Sequence, residues 1–273
     1  MAVKSIGDST GFPTALTIAG SDSGGGAGIQ ADLKTFAAHG VYGTSVITAV
    51  TAQNTIGVSG IHVLPDDFVT AQIEAVVSDL GCDAVKTGML ANSTIVEAVA
   101  AAVEALELPN LVVDPVMIAK SGDHLLDDEA VHALRWTLLR LARVVTPNIP
   151  EAEALAKMPI ASLADMREAA TRIANFKPAA VVIKGGHMPG PEIVDLLYAD
   201  GAFHEFVGPR IEGRNTHGTG CTFASAIAAH LAKGVELKEA VKAAKSYVEG
   251  AMRQGIPLGK GHRPLNHFWR GLY

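Results

Sequence analysis

Cysteine is scarce in this chain. Cys82 and Cys221 are the only two among 273 residues, and neither belongs to a C-x-x-C motif or a Cys/His cluster. That pattern excludes a disulfide framework and argues against a structural zinc site. Basic runs are absent as well. The 22 Lys and Arg are outnumbered by 28 Asp and Glu, for a net charge of −6, so nucleic acid is not an expected partner. A small anionic substrate stays possible, because local basic groups and helix ends act at short range. No uncharged stretch of about 18 apolar residues occurs, which leaves no membrane span to expect. Residues 1–12 have no apolar core of the kind a secretory signal needs. Linkers, repeats and low-complexity tracts are missing too. A soluble, cytoplasmic protein without a membrane partner is the expectation.

What is abundant points to a compact α/β protein: 48% hydrophobic residues, 18% charged residues and 28 glycines. The length allows one large domain, and no linker divides it. Short β-branched runs at 14–19, 44–50, 84–86, 111–114, 143–146 and 180–184 read as buried strands. Amphipathic segments lie between them: Val69, Ile73, Val76, Val77 and Leu80 share one helical face, as do Val131, Leu134, Leu138 and Leu141. This alternation predicts a mostly parallel sheet covered by helices on both faces. Residues 193–199 and 202–207, split by Asp200-Gly201, predict a hairpin. Two alanine-rich helices, near 222–233 and 237–253, close the chain.

Ligands of open α/β sheets bind beyond the carboxyl ends of the strands. Six polar signatures fall there: Gly20 to Gly28, Thr51-Ala52-Gln53-Asn54, Lys86-Thr87-Gly88-Met89-Leu90, Asp114-Pro115-Val116-Met117, Thr146-Pro147-Asn148 and Lys184-Gly185-Gly186-His187. A seventh, Asn215-Thr216-His217-Gly218-Thr219-Gly220-Cys221, runs from a glycine turn into an alanine-rich helix. Free backbone N–H groups and the helix dipole make its start a seat for negative charge. A thiol in that first turn, Cys221, is expected to have a lowered pKa and to serve as base or nucleophile. A capping turn followed by a small buried cysteine is the competing reading of the same residues.

Two common nucleotide motifs fail. No glycines satisfy G-x-G-x-x-G, and the lone Gly259-Lys260 is followed by Gly261 rather than Ser or Thr. The seven signatures, taken in order, instead resemble the hydroxymethylpyrimidine/phosphomethylpyrimidine kinases of the ribokinase-like superfamily. The carriers include Ala-Gly-Ser-Asp at 19–22, Gly-Gly-Ala-Gly-Ile-Gln-Ala-Asp at 25–32, Val-Thr-Ala-Gln-Asn at 50–54, Lys-Thr-Gly-Met-Leu at 86–90, the stretch 116–122 and Thr-Pro-Asn-Ile-Pro-Glu-Ala at 146–152. The resemblance spans roughly residues 14–268, and residues 1–13 would be a disordered extension.

The resemblance implies a ribokinase-like fold with little or no separate lid domain. It implies transfer of the ATP γ-phosphoryl group to the hydroxymethyl group of an aminopyrimidine and then to the resulting monophosphate, in thiamine biosynthesis. Gly218, Thr219 and Gly220 would supply backbone donors to the phosphoryl group, with Cys221 as base where most ribokinase-like enzymes have aspartate. His217 is a nearby alternative base. Gln53, Asp32, Gly20, Met89 and Val116 would hold the pyrimidine. Lys184, Asn148 and Glu151 would meet the nucleotide, with Asp114 and Glu151 near Mg²⁺, partly through water; a monovalent cation is a further expectation, and a homodimer the expected assembly. Two departures stand out: Arg263 replaces a frequent glycine, and residues 1–13 lie outside the resemblance; Lys120, in a glycine-serine loop, is read as solvated in the alternative to a phosphate contact. The alternatives are a pyridoxal kinase on the same scaffold, a branch that tends to lack the glutamine at 53, and a pyrimidine-binding protein without activity.

Overall fold

The computed structural model describes residues 11–117 and 128–271; Lys120 and residues 1–10 of the expected extension lie outside them. One sheet of nine strands organises the chain, in the order β3-β2-β1-β4-β5-β6-β7-β8-β9. The strands are β1 (Thr14–Asp22), β2 (Tyr42–Gln53), β3 (Val58–Val63), β4 (Ala84–Thr87), β5 (Leu111–Val113), β6 (Val144–Val145), β7 (Ala180–Ile183), β8 (Glu192–Ala199) and β9 (Ala202–Pro209). Six central strands, β2-β1-β4-β5-β6-β7, run parallel, while β3, β8 and β9 add antiparallel edges.

Strand periodicity decides how the core is shared. Leu16, Ile18, Val85, Leu111, Val113, Val145, Val181 and Ile183 face one layer, and their neighbours Ala15, Ala84, Val112, Val144, Ala180 and Val182 face the other. Both sheet faces are therefore apolar, which is why these strands read as continuous hydrophobic runs. The first layer holds α2 (Asp66–Asp79), α3 (Ser93–Ala105), α4 (Asp128–Ala133), α5 (Ile149–Ala156) and α6 (Leu163–Ala174); the second holds α1 (Gly28–Ala38), α7 (Thr219–Ala232) and α8 (Leu237–Arg253). Helix α7 is wedged between the sheet, α1 and α8. Its run Thr222 to Ala229 is buried throughout, so only small side chains fit most of its circumference.

Two expectations need correction. Strand β3 was not foreseen, because five of its six residues are exposed and no buried face imposes an alternating pattern. The segment carrying Val131, Leu134, Leu138 and Leu141 is not one regular helix; α4 passes into a π-turn at Leu134–Leu138 and a 3₁₀ turn at Leu139–Leu141. The wider turn buries both Leu138 and Leu139, which a regular helix would place about 100° apart. Among the described residues, no helix is long and apolar enough to cross a membrane.

The chain passes from β1 through α1 to β2, then crosses back past β1 to β4, whose following helix α3 packs on the opposite face. The crevice at that reversal of strand order is where an open α/β sheet receives ligands.

Away from it, two imidazoles shape the acid stability. His39 packs edge-on to Tyr247 with ring centroids 4.3 Å apart, and its Nε2 is buried without a hydrogen-bond partner. His267 Nε2 lies 3.0 Å from Thr222 Oγ1. Burial pushes each down to about 4. Folded-state values below the unfolded value near 6.5 mean that the unfolded chain binds protons first as pH falls. The stabilisation is whole above pH 6.5 and is lost progressively down to pH 4, by up to about 3 kcal/mol for each imidazole. Urea titrations at pH 7.5 and 4.5 should show that loss, and His39→Gln should abolish about half of it. An unchanged acid loss in that variant would remove His39 as a contributor.

Candidate active site

A cavity of about 410 Å³ opens beyond the carboxyl ends of β1, β2, β4, β5 and β7 and is closed by the start of α7. Its floor begins with the glycine loop after β1. The Asp22 carboxylate accepts N–H bonds from Gly24, Gly26 and Ala27 at 2.8, 3.0 and 2.8 Å. It also meets His217 Nε2 at 2.9 Å. Burial opposes its charge, yet the His217 bond and the Gly24 and Ala27 donors hold its carboxyl below the usual range. This pair fastens two distant loops. It also engages the His217 ring with Asp22 and so ties that residue into the loop junction.

The junction depends on glycine. Gly218 has φ +82°, and a Cβ there would stand 1.9 Å from the Gly26 carbonyl oxygen. Helix α7 starts directly after it with no side-chain cap, and Gly218 to Cys221 line the cavity. Cys221 lines the same wall. The expected lowering of its pKa does not appear. Burial pushes the thiol up to about 11, Asp32 and Asp114 push in the same direction, and Lys86 with the Gly28 N–H opposes them. The helix end is outweighed, because desolvation of a thiolate costs more than one short dipole returns. The resting group is the thiol.

Next to this turn lies a cluster of charges. Lys184 Nζ is 2.9 Å from Asp114 and 3.9 Å from Glu151. A Cβ on Gly220 would come within 3.3 Å of that ammonium and 3.6 Å of Asp114, so the anion seat and the cluster adjoin. Burial works against the Lys184 charge, but Asp114 and Glu151 more than offset it and hold its pKa above the ordinary value. Burial raises Glu151 to about 7 against the pull of Lys184, with Asp114 raising it further. Asn148 and Glu151 form a reciprocal cap on α5: Glu151 N–H donates to Asn148 Oδ1 at 2.9 Å, and Asn148 N–H donates to Glu151 Oε2 at 2.7 Å. That cap aims Glu151 at Lys184 and leaves Asn148 on the cavity wall.

Two buried carboxylates sharing one ammonium suit a hard divalent cation, which takes oxygen ligands and completes its shell with water and phosphate oxygens. Among the described residues, no group of three or more His, Cys, Asp or Glu forms an all-protein metal cage. A cation held here would thus depend on substrate phosphates for the remainder of its shell.

Gln53, Gly20, Met89 and Val116 line the same cavity. Gln53 Oε1 accepts from Thr51 Oγ1 at 3.1 Å. Gly20 N–H donates to the Met89 carbonyl at 3.1 Å, and its missing side chain leaves room for the Met89 sulfur. Asp32 departs from the expected grouping. It is completely buried on α1, away from the cavity surface, with its carboxylate taken by Lys86, Thr17 and Ser225. A substrate contact is closed to it. Sequence reasoning assigned no role to Asp22, Lys86, Asp195 or Lys245, all of which line the cavity. Lys86 carried a usable signal, since it directly follows the apolar run Ala84-Val85 of a strand expected to be buried.

Comparisons with known proteins identify the family of the chain. The phosphomethylpyrimidine kinase family model matches residues 22–266. A hydroxymethylpyrimidine/phosphomethylpyrimidine kinase of Bacillus subtilis is 49% identical over 255 residues, covering 93% of this chain and 94% of that protein. A thiamine biosynthesis bifunctional protein of Geobacter sulfurreducens is 54% identical over 258 residues, covering 94% of this chain but only 53% of its own length. This chain therefore spans about half of that bifunctional relative. The ADP complex of Bacillus subtilis pyridoxal kinase superposes with a TM-score of 0.88 at 40% identity, covering 94% of this chain and 97% of that one. With the family model matching residues 22–266 and a kinase relative 49% identical along nearly its whole length, the chain is an ATP-dependent phosphotransferase and belongs to the phosphomethylpyrimidine kinase family.

Proposed function

We propose that this protein phosphorylates 4-amino-5-hydroxymethyl-2-methylpyrimidine and then its monophosphate, with ATP as donor, for thiamine biosynthesis. The observation that carries the reading is the junction of the Gly218 to Cys221 turn with the Asp114–Lys184–Glu151 cluster in one cavity. Phosphoryl transfer needs alignment and charge neutralisation more than covalent chemistry. In this reading the acceptor hydroxymethyl group rests near Cys221, with Gln53 donating to and accepting from the aminopyrimidine edge and Gly20, Met89 and Val116 around it. Lys184 and the first N–H groups of α7 hold the γ-phosphoryl oxygens. Asp114 and Glu151 would hold Mg²⁺, which would neutralise phosphate charge there, and Asn148 orients Glu151.

As the acceptor oxygen bonds to the γ-phosphorus, the bond to the ADP oxygen breaks and the acceptor proton passes to Cys221. A thiol with a resting pKa of about 11 serves only if it is ionised in the loaded site. A divalent cation held by Asp114 would offset the unfavourable field of that carboxylate at the thiol. The second acceptor is a phosphate already ionised near neutral pH and needs no such base. Cys221→Ala is therefore expected to slow the first transfer by roughly 10²-fold or more while the second stays within a few-fold of wild type. Equal losses in both steps would leave Cys221 as a packing residue.

Gln53 separates this reading from pyridoxal phosphorylation, which the solved pyridoxal kinase keeps open. Turnover of ATP with hydroxymethylpyrimidine, its monophosphate and pyridoxal tests it directly. A larger kcat/KM on pyridoxal would reverse the assignment, and no turnover of any of the three would favour a binding protein. A homodimer and a cytoplasmic location belong to the same proposal; sedimentation of the purified protein checks the first.

A further inference from the structure

A second lysine–aspartate pair adjoins the cavity through Lys86 and takes no part in the scheme above. Lys86 and Asp32 are both completely buried, with Nζ 3.0 and 2.8 Å from the two carboxylate oxygens. Each carboxylate oxygen takes a second donor. Thr17 Oγ1 on β1 donates to one at 2.6 Å, and Ser225 Oγ on α7 donates to the other at 2.6 Å. Ser225 is one helical turn beyond Cys221 on the same helix, so the carboxylate pins the stretch that presents the thiol. The lysine also lines the cavity that Cys221 lines. A charged pair of this kind costs several kcal/mol of desolvation per ion, and packed apolar residues often replace one without loss. Its position points to a use other than stability.

We propose that Lys86 and Asp32 are positioning residues for Cys221: the ammonium favours the thiolate that accepts the proton in the first transfer, and Asp32 restrains that ammonium while anchoring α7 through Ser225. This rests on Cys221 acting as the base of the alcohol step. The charged groups facing the thiol are Lys86 from β4, Asp32 from α1, Asp114 beyond β5 and Lys184 beyond β7. Of these, Lys86 acts most strongly on it, and Asp32 opposes Lys86. The two partners consequently push the thiol in opposite directions.

That opposition supplies the test. Alkylation of Cys221 by iodoacetamide is followed against pH in the whole protein, with the modified peptide resolved from that of Cys82 by mass spectrometry. Lys86→Met should slow the reaction at pH 8 about tenfold, equivalent to one pK unit, and Asp32→Asn should accelerate it by a similar factor. Lys86→Arg, which keeps the charge, should recover part of the rate. First-transfer kcat should fall in Lys86→Met with the monophosphate step spared. Loss of packing would move both single variants the same way, so parallel shifts overturn the proposal, as do three unchanged profiles. If a single variant fails to fold, the neutral Lys86→Met/Asp32→Asn double variant decides. Because the lysine is the stronger influence, its thiol should react more slowly than wild type, and an equal rate refutes the inference. Selective loss in Cys221→Ala with normal alkylation in the Lys86 variants would sink this proposal alone. Equal loss of both transfers in Cys221→Ala would sink the base assignment it rests on.

Discussion

Lys184→Met should cost phosphoryl transfer about 10³-fold or more in kcat, in both steps, because both need the same neutralising ammonium. Lys184 is the shared partner of two buried carboxylates, at 2.9 Å from Asp114 and 3.9 Å from Glu151. Removing one member of a buried pair typically costs about 3–5 kcal/mol. Here the loss should fall toward the lower end. Glu151 already titrates at about 7 and can take up a proton once its counter-charge is gone. Stability of the variant should therefore recover as pH drops from 8 to 6, while activity does not. Lys184→Arg keeps the charge but presents a planar fork to a site shaped around one Nζ, so it should restore stability more fully than rate. Steady-state rates and thermal midpoints at the two pH values check each part. A Lys184→Met enzyme within tenfold of wild type would place the lysine outside the phosphoryl site.

Gly218→Ala is the second large effect, and its cause is backbone geometry rather than charge. At φ +82° an alanine pays about 1–2 kcal/mol for the left-handed conformation alone. Its methyl would also lie 1.9 Å from the Gly26 carbonyl oxygen. That oxygen belongs to a loop already fixed through Gly24, Gly26 and Ala27 by the Asp22 carboxylate, so it has little room to yield. The two loops must part, which moves the first turn of α7 by an ångström or more. Misplacement of that order costs about 10²-fold, and loss of an oxyanion-type donor adds a further factor, so a total near 10³ is expected for both transfers. Gly220→Ala provides the contrast. Its Cβ would sit within a helix, 3.3 Å from Lys184 Nζ, and meet no backbone closer than that. It should fold at least as well as wild type, since alanine outranks glycine in a helix by about 1 kcal/mol, yet lose activity by crowding the lysine. Urea denaturation paired with kinetics separates the two variants.

Strands β1, β4, β5 and β7 announced themselves in the sequence because burial on both faces writes an unbroken apolar run. The signatures at their ends were legible for the same reason. A parallel sheet places all carboxyl ends on one edge, so Gln53, Asp114, Asn148 and Lys184 could be grouped before any contact was known. Helix α7 with its glycine turn was readable too, since glycine adopts most readily the left-handed conformation that precedes the helix at Gly218. Strand β3 was not, because a mostly exposed edge carries no hydrophobic pattern.

The sequence by itself determined the backbone devices of this protein: the parallel core, the glycine turn at 218 and the seat for negative charge at the start of α7. These follow from local sterics and periodicity, which neighbouring residues settle among themselves. Tertiary structure alone decided the ionisation of the side chains. Cys221 stands at the start of a helix, as its sequence indicates, but whether its thiol ionises depends on burial and on charges from α1, β4 and β5. The same folding turned Asp32 away from the cavity and onto Lys86, 54 positions along the chain. Electrostatic energies depend on distance and solvent exclusion, and neither is written in residue order.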